Sequence, residues 1–364
     1  MPERNLLNEL MKLLNQPGRI NWALASQLAD HLSGPVAPID PWLADEYLEL
    51  ARFAQIHVPQ ATGIPSDPTT EVVLVDRRGW AERNLRSFSY LVEPLAARLD
   101  AAPGAGTLDS ILKPLGPALL GMQMGAMVGM MSEQVLGLFD TGLPTAEAAG
   151  IIVPLSNLET FADDHGLDAR QVRLWSAMHE VVHYALVGRA WVRTYLVDQS
   201  KNLVGAVEPD AEAMAHWYEE MADPDKLEEK LAQGGGFAGL FGGPLQDESL
   251  GPIRTLIATL EGYGSYLVDR AAVALLPDLP SIRTAMAARH ANRSAPSALG
   301  GLFRIESAAG SGGPVTAFCA EVRNRWGDEA VHRIWQRPEN LPSPVELEDA
   351  TGWAARVILD DPFG

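Results

Sequence analysis

Cysteine is nearly absent: Cys319 is the one thiol in 364 residues. No intramolecular disulfide can form, and a Cys-built zinc finger, which needs several thiolates, is excluded. That usage fits a reducing compartment. Basic side chains are also in short supply. The chain has 28 Lys and Arg against 47 Asp and Glu, a net charge of −19. Such a field repels phosphate backbones and anionic lipid, so neither nucleic acid nor a membrane surface is an expected partner. A secretory signal is missing as well. The N-terminal run MPERNLLNELMKLLNQP is interrupted by Asn8, Glu9 and Lys12 and has no small-residue cleavage site. A cytoplasmic protein is expected.

Long apolar runs are absent with one exception. Residues 115–131, LGPALLGMQMGAMVGMM, carry no charge, and their length lies at the short end of a membrane span. Gly121, Gly125 and Gly129 recur at every fourth position, a stripe that lets a second helix approach closely. The expectation is a buried central helix crossed by another, not a span.

Helical signals dominate the rest. Asn21 is placed to cap a helix through Leu32, and Pro41 to open one running towards Ile56. Residues 59–69 look like a Pro/Gly-rich loop, and one helix is expected from Gly79 towards Leu99. Two β-branched runs stand out, residues 70–76 and 150–155, each of strand length. Asp168 is a candidate N-cap for a helix over residues 169–189, whose apolar face includes Val172, Trp175, Val181, Val182 and Leu186. Further helices are expected from Trp191, from Asp210 and over residues 247–274. No internal repeat or composition break compels a boundary. The expected fold class is α+β, predominantly helical, in a single domain over 1–364. Residues 1–105 form a mostly helical N-terminal part, and residues 106–364 hold the chemistry and the C-terminal helices.

The chemistry centres on His179-Glu180-Val181-Val182-His183. Histidines at i and i+4 of a helix share a face and can converge on one zinc ion, Zn2+. Glu180 can then reach a water on the metal as general base. A hydrolytic zinc also needs a third protein ligand. The longer HExxHxxGxxH pattern fails, because Leu186 and Arg189 stand where Gly and His belong. Glu261 is the candidate third ligand: it follows the apolar run Ile257-Ala258-Thr259-Leu260, where an unpaired carboxylate is costly. Gly262 and Gly264 beside it permit close helix packing. Ser265 and Asp269 continue the Glu261 face and could orient a ligand ring. Tyr263, Tyr266 and His216 are candidates for stabilising an oxyanion. A competing di-iron reading pairs Glu329-x-x-His332 with Glu180-x-x-His183, but leaves His179 unexplained. Residues 234–244, GGGFAGLFGGP, lack the Lys-Ser/Thr of a phosphate loop and suggest a flap or a linker.

Several stretches resemble a zincin-like hydrolase family of actinobacteria and Chloroflexi, some of whose members carry a deazaflavin-cofactor-biosynthesis label. They are residues 123–129 (QMGAMVG), 136–140 (LGLFD) with Leu143-Pro144, and Leu174-Trp175 leading into HEVVH. Residues 260–264 (LEGYG) with Val268-Asp269-Arg270, 331–335 (VHRIW) and 338–342 (PENLP) complete the series. The resemblance implies a zincin-like core elaborated with extra helices, zinc on His179, His183 and Glu261, and Glu180 as base. The expected function is a zinc-dependent hydrolase, a metallopeptidase acting on a peptide or protein. The alternative is an inactive zincin-fold scaffold with a structural metal or none.

Overall fold

The computed structural model describes residues 18–35, 38–101, 115–140, 145, 150–205, 247–292 and 312–359. Their order is α1 (Trp22–Leu32), α2 (Pro41–Thr62), β1 (Val72–Val75), α3 (Arg77–Asn84), α4 (Ser89–Ala101) and α5 (Leu115–Gln134). Then come β2 (Ile151–Pro154), α6 (Leu155–His165), α7 (Ala169–Val187), α8 (Ala190–Gly205) and α9 (Asp247–Ala272). The C-terminal part adds α10 (Leu279–Asn292), α11 (Gly312–Trp326), α12 (Asp328–Arg333) and α13 (Ala350–Ala354), with a 3-10 turn at Pro338–Asn340 and a π turn at Ala355–Leu359. The α+β, mostly helical class is as the sequence suggested. A single hydrophobic cluster runs from Ile20 to Val357.

Local chemistry sets the helix ends. Asn21 accepts from the Leu24 amide at 3.0 Å and caps α1, and Asp168 accepts from Gln171 at 2.8 Å and caps α7. Two boundaries differ from the sequence reading. Helix α2 does not stop before Pro59 but continues to Thr62, ending at Gly63 in the left-handed region (φ 75°). Proline at 59 denies the Gln55 carbonyl its helical donor, and the Ser66 hydroxyl donates to that carbonyl at 3.5 Å. The expected helix 79–99 is two, α3 and α4, separated by a turn over residues 85–88.

Helix α5 meets α1 along its glycine stripe. A Cβ at Gly121 or Gly125 would overlap the carbonyl of Asn21 or Ala25, and one at Gly129 would lie 2.9 Å from the Ala29 carbonyl. Backbone therefore packs on backbone, as the spacing predicted. Among the described residues no helix is long and apolar enough to cross a membrane.

The sheet has two parallel strands, with Val72 opposite Ile151 and Val75 opposite Pro154. Every residue of β2 is buried, whereas β1 is mostly half-buried. Strand β2 is thus enclosed. Helix α7 packs against α2 on one side and α9 on another, with α6 and β2 also against it. The HEVVH segment consequently lies inside the protein.

Candidate metal centre

His179, Glu180 and His183 are all buried on α7. The two imidazoles, one turn apart, stack with centroids 4.0 Å apart. His183 Nδ1 lies 2.9 Å from the His179 carbonyl. A carbonyl can only accept, so this bond fixes the proton on Nδ1 and leaves Nε2 with a free lone pair. That Nε2 is buried and has no hydrogen-bond partner. Opposite it is Gly264 of α9, where a Cβ would come within 2.5 Å of Nε2. The missing side chain leaves a cradle beside the lone pair. Burial holds both rings neutral: it lowers His179 to about 4 against a small opposing pull from Asp140, and lowers His183 well below its ordinary value. Neutral imidazole is the form that binds a metal.

Glu180 is held from outside its helix. Its carboxylate accepts from the amides of Leu138 at 2.8 Å and Phe139 at 3.4 Å, and its Oε1 lies 3.2 Å from His179 Nδ1. A Cβ at Gly137 would overlap Oε1, so glycine is needed there for the close approach. Burial pushes the carboxyl up to about 8, with the Leu138 amide opposing the rise. A carboxyl poised near neutrality suits proton transfer.

The loop that supplies these amides, residues 135–140, is pinned throughout. Asn157 Nδ2 donates to the Val135 carbonyl at 2.7 Å and Trp80 Nε1 to the Gly137 carbonyl at 3.1 Å. Asp140 accepts from the Leu136 amide at 2.9 Å and pairs with Arg289 of α10. Phe139 covers His183, its ring stacked at 6.3 Å. Sequence reasoning assigned no role to Gly137, Leu138, Phe139, Asp140 or Arg289. The one available signal was a glycine-containing apolar run ending in a lone acid.

The other candidates fall in varied places. Glu261 is half-buried on α9, one turn before Gly264 and hence beside the face that meets His183. Among the described residues, however, no three His, Cys, Asp or Glu side chains gather closely enough to hold a metal. Asp269 binds Arg283 at 2.8 Å instead of turning to a histidine ring, and Ser265 is exposed. Tyr263 places its hydroxyl 2.9 Å from His332 Nδ1, and the Tyr266 hydroxyl is buried without a partner. His332 is thereby engaged and Glu329 is exposed, which removes the di-iron reading. His216 and the 234–244 segment lie outside the described residues. Two features of the site bear on a metal: the orphaned Nε2 of His183 and the space left beside it by Gly264.

The family model for zincin-like metallopeptidases matches residues 20–354. The chain belongs to the zincin-like metallopeptidase family. A solved structure from Chloroflexus aurantiacus, described as a "putative hydrolase with a novel fold", superposes with a TM-score of 0.66 at 24% identity. The match covers 95% of this chain and 100% of that one, and at that identity it speaks for a shared fold. No curated protein matches the chain.

Proposed function

We propose that this zincin-like protein is a zinc-dependent hydrolase of the peptidase type. The observation that carries the reading is His183 Nε2: buried, unprotonated, without a partner, and facing the space left by Gly264. His179 and His183 would hold the ion, with Glu261 the candidate third donor. Bound zinc supplies Lewis acidity, which makes a water acidic near neutral pH and polarises a carbonyl. Glu180 takes the proton of the attacking water and passes it to the leaving amine. The amides of Leu138 and Phe139 keep its carboxylate in one orientation meanwhile. A peptide is the proposed substrate class. The acidic surface argues against nucleic acid and membrane partners, and the single buried Cys319 suits a cytoplasmic setting.

A second reading has its own observation. Glu180 and His183 are 1% and 0% exposed, and the 135–140 loop roofs both. A zincin fold retained as a scaffold, with structural metal or none, fits that closure. Zinc analysis of chain prepared without chelator, with peptide-library cleavage by the native protein and by Glu180→Gln, separates the readings. The hydrolase reading expects stoichiometric zinc in both and cleavage by the native chain alone, with a loss of about 10²–10⁴-fold in the variant. Zinc without cleavage by either supports the scaffold. Equal cleavage by both removes Glu180 as the base.

A further inference from the structure

One side chain of α10 holds both ends of the loop above the metal centre. Arg289 donates to the Gln134 carbonyl at the end of α5 and, through both terminal nitrogens, to Asp140 at 2.9 and 2.7 Å. Asp140 also closes the loop on itself through the Leu136 amide. Between these anchors lie Leu138 and Phe139, whose amides meet the Glu180 carboxylate. The side chain of Asp140 is 3% exposed and that of Arg289 13%, so the pair is largely removed from water. A planar guanidinium can bond both oxygens of a carboxylate in parallel from two nitrogens while one of them also reaches a carbonyl, a fork that an ammonium does not reproduce. Docking of α10 does not depend on the pair, because Ile282, Ala285 and Met286 bury the helix against the core.

We propose that Arg289 is a positioning residue. By clasping both ends of residues 134–140 it aims the amides of Leu138 and Phe139 at Glu180. The catalytic consequence rests on reading Glu180 as the base, whereas the clasp itself does not.

Hydrogen exchange on the full chain supplied with zinc tests the clasp directly. In Arg289→Met, exchange over residues 134–140 is expected to quicken at least about tenfold, with α7 and the rest of α10 unchanged. Zinc content stays stoichiometric, and Asp140→Asn gives the same local pattern. Combining the two changes gives less than the sum of the separate effects, since both remove the Arg289–Asp140 pair while each also loses a contact of its own. On any peptide the native chain cleaves, kcat falls about 10–100-fold with KM little altered. Arg289→Lys, which keeps the charge, carries the test if the Met variant does not fold, and shows a smaller local rise. Unchanged exchange over 134–140 overturns the proposal. So does a rise spread equally over α7 and α10, which marks general loosening. If Glu180→Gln cleaves like the native chain while the local exchange result holds, the base assignment fails and the clasp stands.

Discussion

Two helix crossings in this protein use glycine in the same way and to different ends. Where α1 crosses α5, the absent side chains of Gly121, Gly125 and Gly129 admit backbone carbonyls of the facing helix. Where α7 meets α9, the absent side chain of Gly264 faces an imidazole nitrogen that has no partner. The first contact is packing alone, satisfied on both sides. The second keeps one strong acceptor unpaired in the core, where such a group costs about 1–3 kcal/mol. Glycine therefore marks close approach in both, and the atom opposite it decides whether the approach is a site.

That contrast can be broken experimentally. The largest effect is expected from Gly125→Leu, which forces a branched side chain into the Ala25 carbonyl. Backbone cannot yield as a side-chain tip does, so the chain should fail to fold at 37 °C, read by circular dichroism. A native-like melt would mean the α1–α5 crossing is looser than it looks.

The crossings also differ in what can titrate. The residues that face the α5 glycines, Asn21, Ala25, Ala29 and Leu32, cannot titrate, whereas α7 carries two buried histidines and a buried glutamate. His179 is lowered to about 4 and His183 well below its ordinary value. The unfolded chain therefore binds more protons below about pH 6.5, and stability present above that pH is lost as it falls. Glu180, raised to about 8, acts in the opposite sense: its folded form keeps a proton the unfolded chain releases. Its contribution is lost as pH rises towards 8. Two histidines outweigh one glutamate on the acid side, so metal-free protein should be most stable near pH 6.5. Between pH 6.5 and 8 the glutamate alone gives a decline of about 2 kcal/mol. Denaturant melts of Glu180→Gln should lose that alkaline decline and keep the acid one; persistence of both would reassign the group responsible.

Gly264→Ala sharpens the comparison at smaller scale. The new methyl meets His183 Nε2, so zinc affinity should drop at least about tenfold. Metal-free stability should also fall, by about 1–2 kcal/mol net, because the methyl displaces a fully buried ring pinned through its Nδ1 and alanine's helix propensity returns only part of that cost. Zinc titration beside a metal-free melt reads both, and unchanged affinity would place the ion elsewhere. The smallest effect belongs to Ser265→Ala. Being exposed, it should leave stability within about 0.5 kcal/mol and zinc affinity unaltered; a measurable loss of zinc would restore Ser265 as a residue that orients a ligand.

The sequence by itself determined what repeats or caps locally. The HEVVH helix and its Asp168 cap, the glycine stripe of α5, and the two β-branched strands are all periodic or adjacent patterns, so they could be read along the chain. Pro59 misled because a proline removes only one helical donor, that to the Gln55 carbonyl, and the helix runs on for another turn to the left-handed Gly63. Tertiary structure alone decided how the motif is clothed. Glu180 takes its donors from residues 41 and 42 positions earlier, and Arg289 reaches Asp140 across 149. Hydrogen bonds over such separations leave no periodic trace, and a buried aspartate looks like any other until its arginine arrives. Burial decided the rest. The same two histidines and one glutamate would be ordinary titrating groups on a surface, and only enclosure by α2, α9 and the 135–140 loop makes the rings neutral and leaves one nitrogen free to bind.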